Sequence, residues 1–253
     1  MQRNLVLALH GFLGQGSDWN TVKKEFVQGQ ALAHTHIHAG ENSEWLTPDL
    51  FNPDSMWVLP YDQFCDALVD KYNVQLSGFT KRIFIGYSLG GRLGLHLLKK
   101  YATLFDHFIF VSTHPGLTTV AEKDLRKESD AKWALQITES NWTAFFNDWN
   151  AQPVLESETE DPVREINNFN LAALQSSLST WSLAQQADLT DLIRTHQQKI
   201  TWAVGTKDTK FLKIAEDLEQ KKILLNVSRI LSGHRILFEN PKELASILLH
   251  QLS

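Results

Sequence analysis

The sequence has a single cysteine, no long apolar run and no excess of positive charge. With Cys65 alone, no disulfide can form within the chain. No segment reaches the roughly 18 consecutive apolar residues of a membrane-spanning helix. The net charge of −5 at pH 7 provides no general basic surface for nucleic acid or for an anionic membrane. We therefore expect neither as a partner, while a local basic pocket remains compatible with this charge.

The first apolar run ends at His10-Gly11, which makes it too short for a signal-peptide core followed by a cleavage site. Cys65 lies in "YDQFCDALVDKY", where apolar residues recur at helical spacing, so we expect it to pack on a helix face. Both features are typical of the reducing cytoplasm, and we expect the protein there.

The 253 residues, 43% of them hydrophobic, are enough to bury one large core. There is no internal repeat or low-complexity tract. Strand-like apolar runs alternate with helical patterns at both ends of the chain. The predicted strands are "NLVLAL", "KRIFIGYS", "FDHFIFVST", "KITWAVG" and "KILLNVSRIL", together with "EWLTPDL", a short strand that runs into a loop. This alternation predicts an α/β fold, a mostly parallel sheet with helices on both faces.

The middle of the chain breaks this alternation. Residues 117–190 have mostly helical patterns and no convincing buried strand. A helical insertion between two strands of a parallel sheet usually lies over the carboxyl edge of that sheet. We therefore predict a core formed by residues 1–116 and 191–253, with residues 117–190 as a helical lid.

Gly86, Ser88 and Gly90 form a G-x-S-x-G motif between the predicted strand "RIFIG" and a predicted helix. This strand-turn-helix context is the one in which the motif exposes a nucleophilic serine. The glycines let the turn tighten without side-chain clashes. The motif predicts a functional Ser88.

An activated serine needs a base, and the base needs an orienting acid. In this fold the three residues follow the chain order Ser, Asp, His. Asp208 follows the strand "KITWAVG", and His234 follows the last strand. We predict a triad of Ser88, Asp208 and His234. An alternative for Asp208 is a helix N-cap for the segment that follows it.

Two backbone N–H groups are needed to stabilise negative charge near Ser88. We predict the amides of Leu89, next to the serine, and of Phe12, in the loop after the first strand. His10 in that loop is expected to brace it rather than to catalyse.

Arg92 lies four residues after Ser88, so the two share a helix face. A buried guanidinium without a partner is costly, so Arg92 requires a carboxylate. That carboxylate belongs either to the protein or to a substrate, which a guanidinium can hold with two parallel hydrogen bonds. Arg126 is a second candidate for this role, the alternative being a solvated helix residue.

Three alternating histidines, His34, His36 and His38, would share one face of a strand and could bind a metal. No acidic or cysteine ligand is patterned with them. A solvated strand edge is therefore the favoured interpretation, and we expect no metal site.

The chain resembles one family along nearly its whole length. The segments that carry the resemblance are "LHGFLGQGSDW", "IGYSLGGR", "HPGL…EKDLRKESDAKWA", "FFNDWNAQPV", "VGTKDTKF" and "SGH…ENP". They are similar to the 2-succinyl-6-hydroxy-2,4-cyclohexadiene-1-carboxylate synthases of menaquinone biosynthesis, called the synthase family below. The resemblance implies an α/β-hydrolase fold and the triad already named.

The resemblance also implies residues that hold the substrate carboxylates: Tyr87, Arg92, Arg126 and Trp149. The family uses a third arginine in a late lid helix, and Arg164 is the arginine of that region here. One departure is the stretch "PDLFNPDSM", which replaces the family's Pro-Asp-Leu-Pro-Gly-His-Gly and reshapes one wall of the site's mouth.

The implied reaction is elimination of pyruvate from 2-succinyl-5-enolpyruvyl-6-hydroxy-3-cyclohexene-1-carboxylate, a small polyanionic substrate. Ser88 would act as the base, and no cofactor or metal would be needed. Two alternatives remain open: a serine esterase or thioesterase acting on a small acidic substrate, and a receptor of the same fold without catalysis.

Overall fold

A computed structural model describes residues 3–32, 43–160 and 162–252. Six strands form one sheet in the order β2-β1-β3-β4-β5-β6, and every neighbouring pair is parallel. The strands are β1 Asn4–Leu9, β2 Ser43–Leu46, β3 Lys81–Tyr87, β4 His107–Val111, β5 Ile200–Gly205 and β6 Val227–Ile230. The predicted parallel α/β sheet is confirmed.

Side chains along the central strands alternate between two separate apolar clusters. In β1, Leu5, Leu7 and Leu9 belong to one cluster, whereas Val6 and Ala8 belong to the other. All six residues of β1 are buried. A strand buried on both faces needs apolar residues at successive positions, which explains the unbroken run in the sequence.

Ten α-helices occur in the described residues. They are α1 Asn20–Leu32, α2 Tyr61–Ser77, α3 Leu89–Lys100, α4 Val120–Gln136, α5 Trp142–Asn150, α6 Leu171–Thr180, α7 Thr190–His196, α8 Thr209–Gln220, α9 Ile236–Glu239 and α10 Pro241–Leu252. Helices α2, α3 and α8 supply the first apolar cluster, and α1 and α10 the second. Helices therefore cover both faces, and Cys65 is buried on α2.

The chain between β4 and β5 is helical over α4, α5 and α6, with short 3-10 turns between them. Its described residues from 117 to 190 include no strand. Trp142 and Phe145 from α5 and Leu174 from α6 join the first apolar cluster. This helical segment therefore packs onto the side of the sheet that carries α3.

The run "EWLTPDL" is a short strand to Leu46 and then a loop, as predicted. The last strand is shorter than predicted. In "KILLNVSRIL" the strand begins at Val227. The Ile223 amide instead donates to the Leu218 carbonyl at the end of α8, at 2.8 Å. Ile223 and Leu224 are thus buried in a turn, not in the sheet.

No helix in the described part of the chain is long and apolar enough to cross a membrane. The same residues contain no cluster of three side chains suited to a metal ion. His34, His36 and His38 lie outside the described residues.

Candidate active site

A tight turn between β3 and α3 presents Ser88. The residue has a φ of +52° and a ψ of −108°, which is a strained conformation for a residue with a side chain. Its amide donates to the Val111 carbonyl of β4 at 2.8 Å, which ties the turn to the sheet. A Cβ atom on Gly90 would collide with the backbone oxygen of Leu9. The glycine is needed because α3 passes that close to β1.

Asp208, His234 and Ser88 meet at the carboxyl edge of the sheet. His234 Nδ1 lies 2.6 Å from Asp208 Oδ2, and His234 Nε2 lies 3.3 Å from Ser88 Oγ. Because a carboxylate only accepts, the proton of the neutral ring sits on Nδ1 and leaves Nε2 to accept from the serine. The imidazole is thus set up to take the serine proton.

Asp208 also caps α8. Its Oδ1 accepts the Phe211 amide at 3.2 Å, while Oδ2 faces His234. The two roles considered for this residue therefore occur together. Asp208 and His234 are both buried, so the carboxylate is held on two sides in a site with little water.

The loop that carries His234 is anchored on both sides of the ring. Ser112 Oγ donates to the His234 carbonyl at 3.0 Å, and the Gly233 amide donates to Glu239 Oε2 at 2.7 Å. The Phe211 ring lies 4.5 Å from the imidazole centroid. These contacts fix the direction of the imidazole.

His10 braces the loop after β1. Its Nε2 accepts the Leu50 amide at 2.9 Å, so its Nδ1 carries the proton and donates to the Gly11 carbonyl at 2.7 Å. Burial lowers the pKa of His10 and keeps the ring neutral. The loop position next to Phe12 is thereby fixed by a side chain, as expected from the sequence.

Ser88 opens into a cavity of about 100 Å³ between α3, α8 and the helical segment. Six of the predicted site residues line it or open onto it: Ser88, Leu89, Phe12, Arg92, Arg126 and Trp149. Leu89 begins α3, so its N–H is one of the amides that an α-helix leaves without an intrahelical acceptor. We call this space the serine cavity.

Arg92 is buried in the wall of the serine cavity and makes only neutral hydrogen bonds. One terminal nitrogen donates to Tyr61 Oη at 3.1 Å and to Gln186 Oε1 at 3.4 Å. Within residues 3–32, 43–160 and 162–252, no carboxylate lies within ion-pair distance of it. Burial lowers the pKa of Arg92 from its usual range. Among the described residues, the alternative of a protein carboxylate as its partner is therefore not realised.

Arg126 does have a carboxylate partner. Its Nε lies 2.8 Å and 2.9 Å from the two oxygens of Asp130, one turn along α4. Ser182 Oγ donates to the same carboxylate at 2.7 Å, and Asp130 is buried. Arg126 is one-third exposed and faces the serine cavity. Asp130 thus orients Arg126 toward the cavity, and Arg126 is not simply a solvated helix residue.

Tyr87 and Arg164 do not reach the serine cavity, contrary to expectation. Both line a second cavity of about 50 Å³. Tyr87 ends β3 on the sheet face that carries α1 and α10, because side chains alternate along the strand. Arg164 forms a buried ion pair with Asp18, at 2.8 Å. Its charge is already neutralised by the protein.

The rings of Phe12 and Trp149 stand between these two cavities. Their centroids lie 4.6 Å apart, and both residues line both spaces. The predicted carboxylate-binding set is thus divided in this structure: Arg92 and Arg126 lie on one side of the pair, and Tyr87 and Arg164 on the other.

Sequence reasoning missed several residues of the serine cavity. His114 and Lys210 line it, and Asp130 and Tyr61 hold its arginines. His114 follows β4 and Lys210 follows β5, so position after a strand's carboxyl end was the available signal. Burial, followed by the charges of Lys210 and the two arginines, lowers the pKa of His114 to about 4.

A larger cavity, of about 540 Å³, adjoins the triad on its other side. Its wall includes Asp208, His234 and Lys210, and its remaining charged groups are Glu156, Glu158, Glu239 and Lys207. We call it the acidic cavity. It shares Lys210 with the serine cavity.

The alpha/beta hydrolase family model matches residues 5–247. A relative in Enterobacter sp. (strain 638), named 2-succinyl-6-hydroxy-2,4-cyclohexadiene-1-carboxylate synthase, is 30% identical over 251 residues, which cover 96% of this chain and 89% of the relative. The chain belongs to the synthase family, within the alpha/beta hydrolases. Its members are enzymes of menaquinone biosynthesis, so the resemblance carried by the sequence motifs is confirmed.

Solved structures agree on the fold of this synthase-family chain. MenH from S. aureus superposes with a TM-score of 0.79 at 21% identity, over 100% of this chain and 94% of the other. A thermophilic esterase from Thermogutta terrifontis, solved with malate bound, gives a TM-score of 0.69 at 18% identity, over 99% and 90%. Because an esterase shares the architecture, the fold alone does not select the reaction.

Proposed function

We propose that the protein eliminates pyruvate from 2-succinyl-5-enolpyruvyl-6-hydroxy-3-cyclohexene-1-carboxylate and forms 2-succinyl-6-hydroxy-2,4-cyclohexadiene-1-carboxylate. The observation that carries this proposal is Arg92. A buried guanidinium with no described carboxylate partner faces the same cavity as the serine. Such a group is costly unless an anion arrives to complete it. A polyanionic substrate supplies that anion.

Ser88 acts as the base in this reaction, and His234 and Asp208 raise its basicity. Ser88 Oγ takes a ring proton while its own proton passes to His234 Nε2. The electrons of the broken C–H bond delocalise onto a conjugated oxygen and return to form a ring double bond. The ring double bond already present shifts by one position as the C–O bond to the enolpyruvyl group breaks, which gives the ring diene. The leaving group takes the proton from His234 and tautomerises to pyruvate. Ser88 keeps the ring proton, so the triad returns to its starting state.

Negative charge accumulates on a conjugated substrate oxygen when the proton is removed. The amides of Leu89 and Phe12 stabilise that charge, which is the usual role of paired N–H donors in this fold. Arg92 and Arg126 bind substrate carboxylates and orient the ring toward Ser88. Trp149 lines the same space. In this proposal residues 117–190 act as the lid, since α4 and α5 carry Arg126 and Trp149.

The reaction needs no redox cofactor, because proton transfer and elimination are redox-neutral. In this proposal the triad supplies the base and the two amides stabilise the charge, so no metal is required. The partner is a small polyanionic carboxylate. The single cysteine is buried and unpaired, which suits the reducing cytoplasm, where we place the protein.

Ester or thioester hydrolysis is the second candidate. It is favoured by the Asp208–His234–Ser88 arrangement, which equally activates serine as a nucleophile. A simple neutral ester has no carboxylate for Arg92 to bind, and we rank hydrolysis second for that reason. A receptor without catalysis ranks third, since ligand binding alone requires no aligned base.

Incubation with the enolpyruvyl intermediate tests the proposal. Pyruvate release is followed with a lactate dehydrogenase couple, and Ser88→Ala serves as the control. We expect release by the wild type and loss of most of it in the variant. Rapid-quench mass spectrometry during turnover then separates base from nucleophile. A substrate-derived adduct on Ser88 would favour the hydrolase.

A further inference from the structure

We propose that Lys210 is the third cation of the substrate site and binds a substrate carboxylate together with Arg92 and Arg126. The inference rests on the proposed function, which requires a substrate with several carboxylates. It assigns to a lysine at the mouth of the serine cavity the role that the sequence motifs lead one to expect of Arg164.

The position of Lys210 follows from the cap of α8. Asp208 is the N-cap residue of that helix, and Lys210 is the second residue within it. The ammonium lies 5.7 Å from the centroid of the Phe211 ring, and that ring packs 4.5 Å from His234. Lys210 lines both the serine cavity and the acidic cavity. It therefore stands where the two spaces meet, beside the triad.

The charges around the serine cavity do not balance without an anion. Arg92, Arg126 and Lys210 supply three positive charges, and Asp130 is the one carboxylate among the described lining residues. Burial and then the Arg126 charge lower the pKa of Lys210, while the Asp208 carboxylate acts in the opposite direction. Lys210 and Arg126 line the same cavity and repel each other there. A bound polycarboxylate relieves that repulsion and gains three partners at once.

His114 adds a neutral donor beside Lys210. Its Nδ1 accepts the Gly116 amide at 3.1 Å, so the proton of the neutral ring is on Nε2. The Lys210 charge is the largest influence after burial in lowering the pKa of His114. Both Lys210 and His114 line the serine cavity, and both offer only hydrogen-bond donors to an incoming anion.

The acidic cavity explains why the substrate carboxylates would bind in the serine cavity. Glu156, Glu158 and Glu239 line it along with Asp208, and Lys207 is already paired with Glu158 at 2.6 Å. These groups repel a carboxylate. In the described chain Lys210 makes no ion pair with a protein carboxylate, so its charge is available at the boundary.

Lys210→Met tests this role, and Lys213→Met is the matched control, since Lys213 is an exposed lysine one turn further along α8. We expect KM for the enolpyruvyl substrate to rise roughly tenfold in Lys210→Met, with a smaller change in kcat. Lys210→Arg should recover most of the loss because it restores the charge. Sodium chloride should raise KM less steeply in Lys210→Met than in the wild type.

Equal KM values for Lys210→Met and Lys213→Met would overturn the assignment. Calorimetric titration with benzene-1,3,5-tricarboxylate measures anion binding without turnover. It therefore tests the role of Lys210 independently of the proposed reaction. If the wild type releases no pyruvate, the proposed reaction fails, and the role of Lys210 is decided by this titration alone. Weaker binding by Lys210→Met than by Lys213→Met supports the site. Equal binding, or no binding by the wild type, overturns it.

Discussion

The Arg92 amide donates to the Ser88 carbonyl at 3.1 Å, so one turn of α3 joins the guanidinium to the serine that shares its cavity. The backbones of the two residues are spaced by this helical hydrogen bond, and the guanidinium is held by Tyr61 of α2 and Gln186 of the helical segment. In the proposed function, a substrate anion bound at Arg92 therefore lies beside Ser88.

Replacing Arg92 should lower kcat/KM for an anionic substrate much more than for a neutral one. A charge-assisted hydrogen bond contributes about 1.5–3 kcal/mol, so Arg92→Ala should lower kcat/KM for the anionic substrate roughly tenfold to a hundredfold. Hydrolysis of a small neutral ester should fall little, since it needs only the triad and the amides. Arg92→Lys should restore part of the loss, because it keeps the charge but not the planar fork. Equal losses on both substrates would mean that Arg92 serves the fold.

Two substitutions at Asp208 should separate its two roles. Asp208→Asn keeps a side-chain oxygen for the Phe211 amide but no longer supplies a carboxylate to His234. Turnover should fall by orders of magnitude while stability changes little. Asp208→Ala should lose turnover similarly and also about 1 kcal/mol of stability, because the cap of α8 is removed. Kinetics and urea unfolding on the same pair provide the measurement. Identical stability of the two variants would contradict the capping role.

Breaking the Asp18–Arg164 ion pair should lower the stability of the fold more than it lowers the activity. The side chains are only 8% and 6% exposed, so removing one partner leaves the other buried and uncompensated. Arg164→Gln should cost about 3 kcal/mol of unfolding free energy, with less than a tenfold loss in kcat/KM. Adding Asp18→Asn should cost less than the sum of the single changes. If Arg164→Gln raises KM as strongly as Arg92→Ala, then Arg164 contacts substrate after a rearrangement.

His96 should make the fold sensitive to acid. It is buried and stacked on Tyr61 with centroids 3.7 Å apart, and burial lowers its pKa to about 4. In the unfolded chain histidine titrates near 6.5. Between these values the unfolded state binds more protons, so stability should decline as the pH falls from about 6.5 toward 4.

The variant His96→Phe should remove part of this decline, on the order of 2–3 kcal/mol over that window. Urea unfolding at pH 7 and pH 4.5 measures the effect. His250→Phe, at an exposed position of α10, is the control for loss of a histidine. An unchanged pH dependence in His96→Phe would show that His96 binds its proton equally well in the folded and the unfolded protein.

The sequence allowed the sheet and the meeting of Ser88, Asp208 and His234 to be predicted, because these depend on local patterns. Each of the three follows an apolar run, and parallel strands bring their carboxyl ends to one edge. Arg92 was predictable for the same reason, since helical periodicity places it one turn from the serine.

The side-chain pairings were not predictable, because they join distant parts of the chain. Arg164 and Asp18 are separated by 146 positions, and nothing near either residue signals the other. The choice of Asp130 as the partner of Arg126, while Arg92 has only Tyr61 and Gln186, depends on how the helical segment packs. For Lys210 the only sequence signal was its place after a strand, which it shares with residues that do not line the serine cavity.

The rings that separate the two small cavities also connect the helical segment to the serine cavity. Trp133 of α4 packs 5.1 Å from Trp149, and Trp149 packs 4.6 Å from Phe12. In the proposed reaction, Phe12 at the end of that row supplies its amide to the developing charge. The row therefore joins α4, which carries Arg126, to that amide. We expect a substitution that disturbs the row to alter the choice of substrate and to slow the reaction as well.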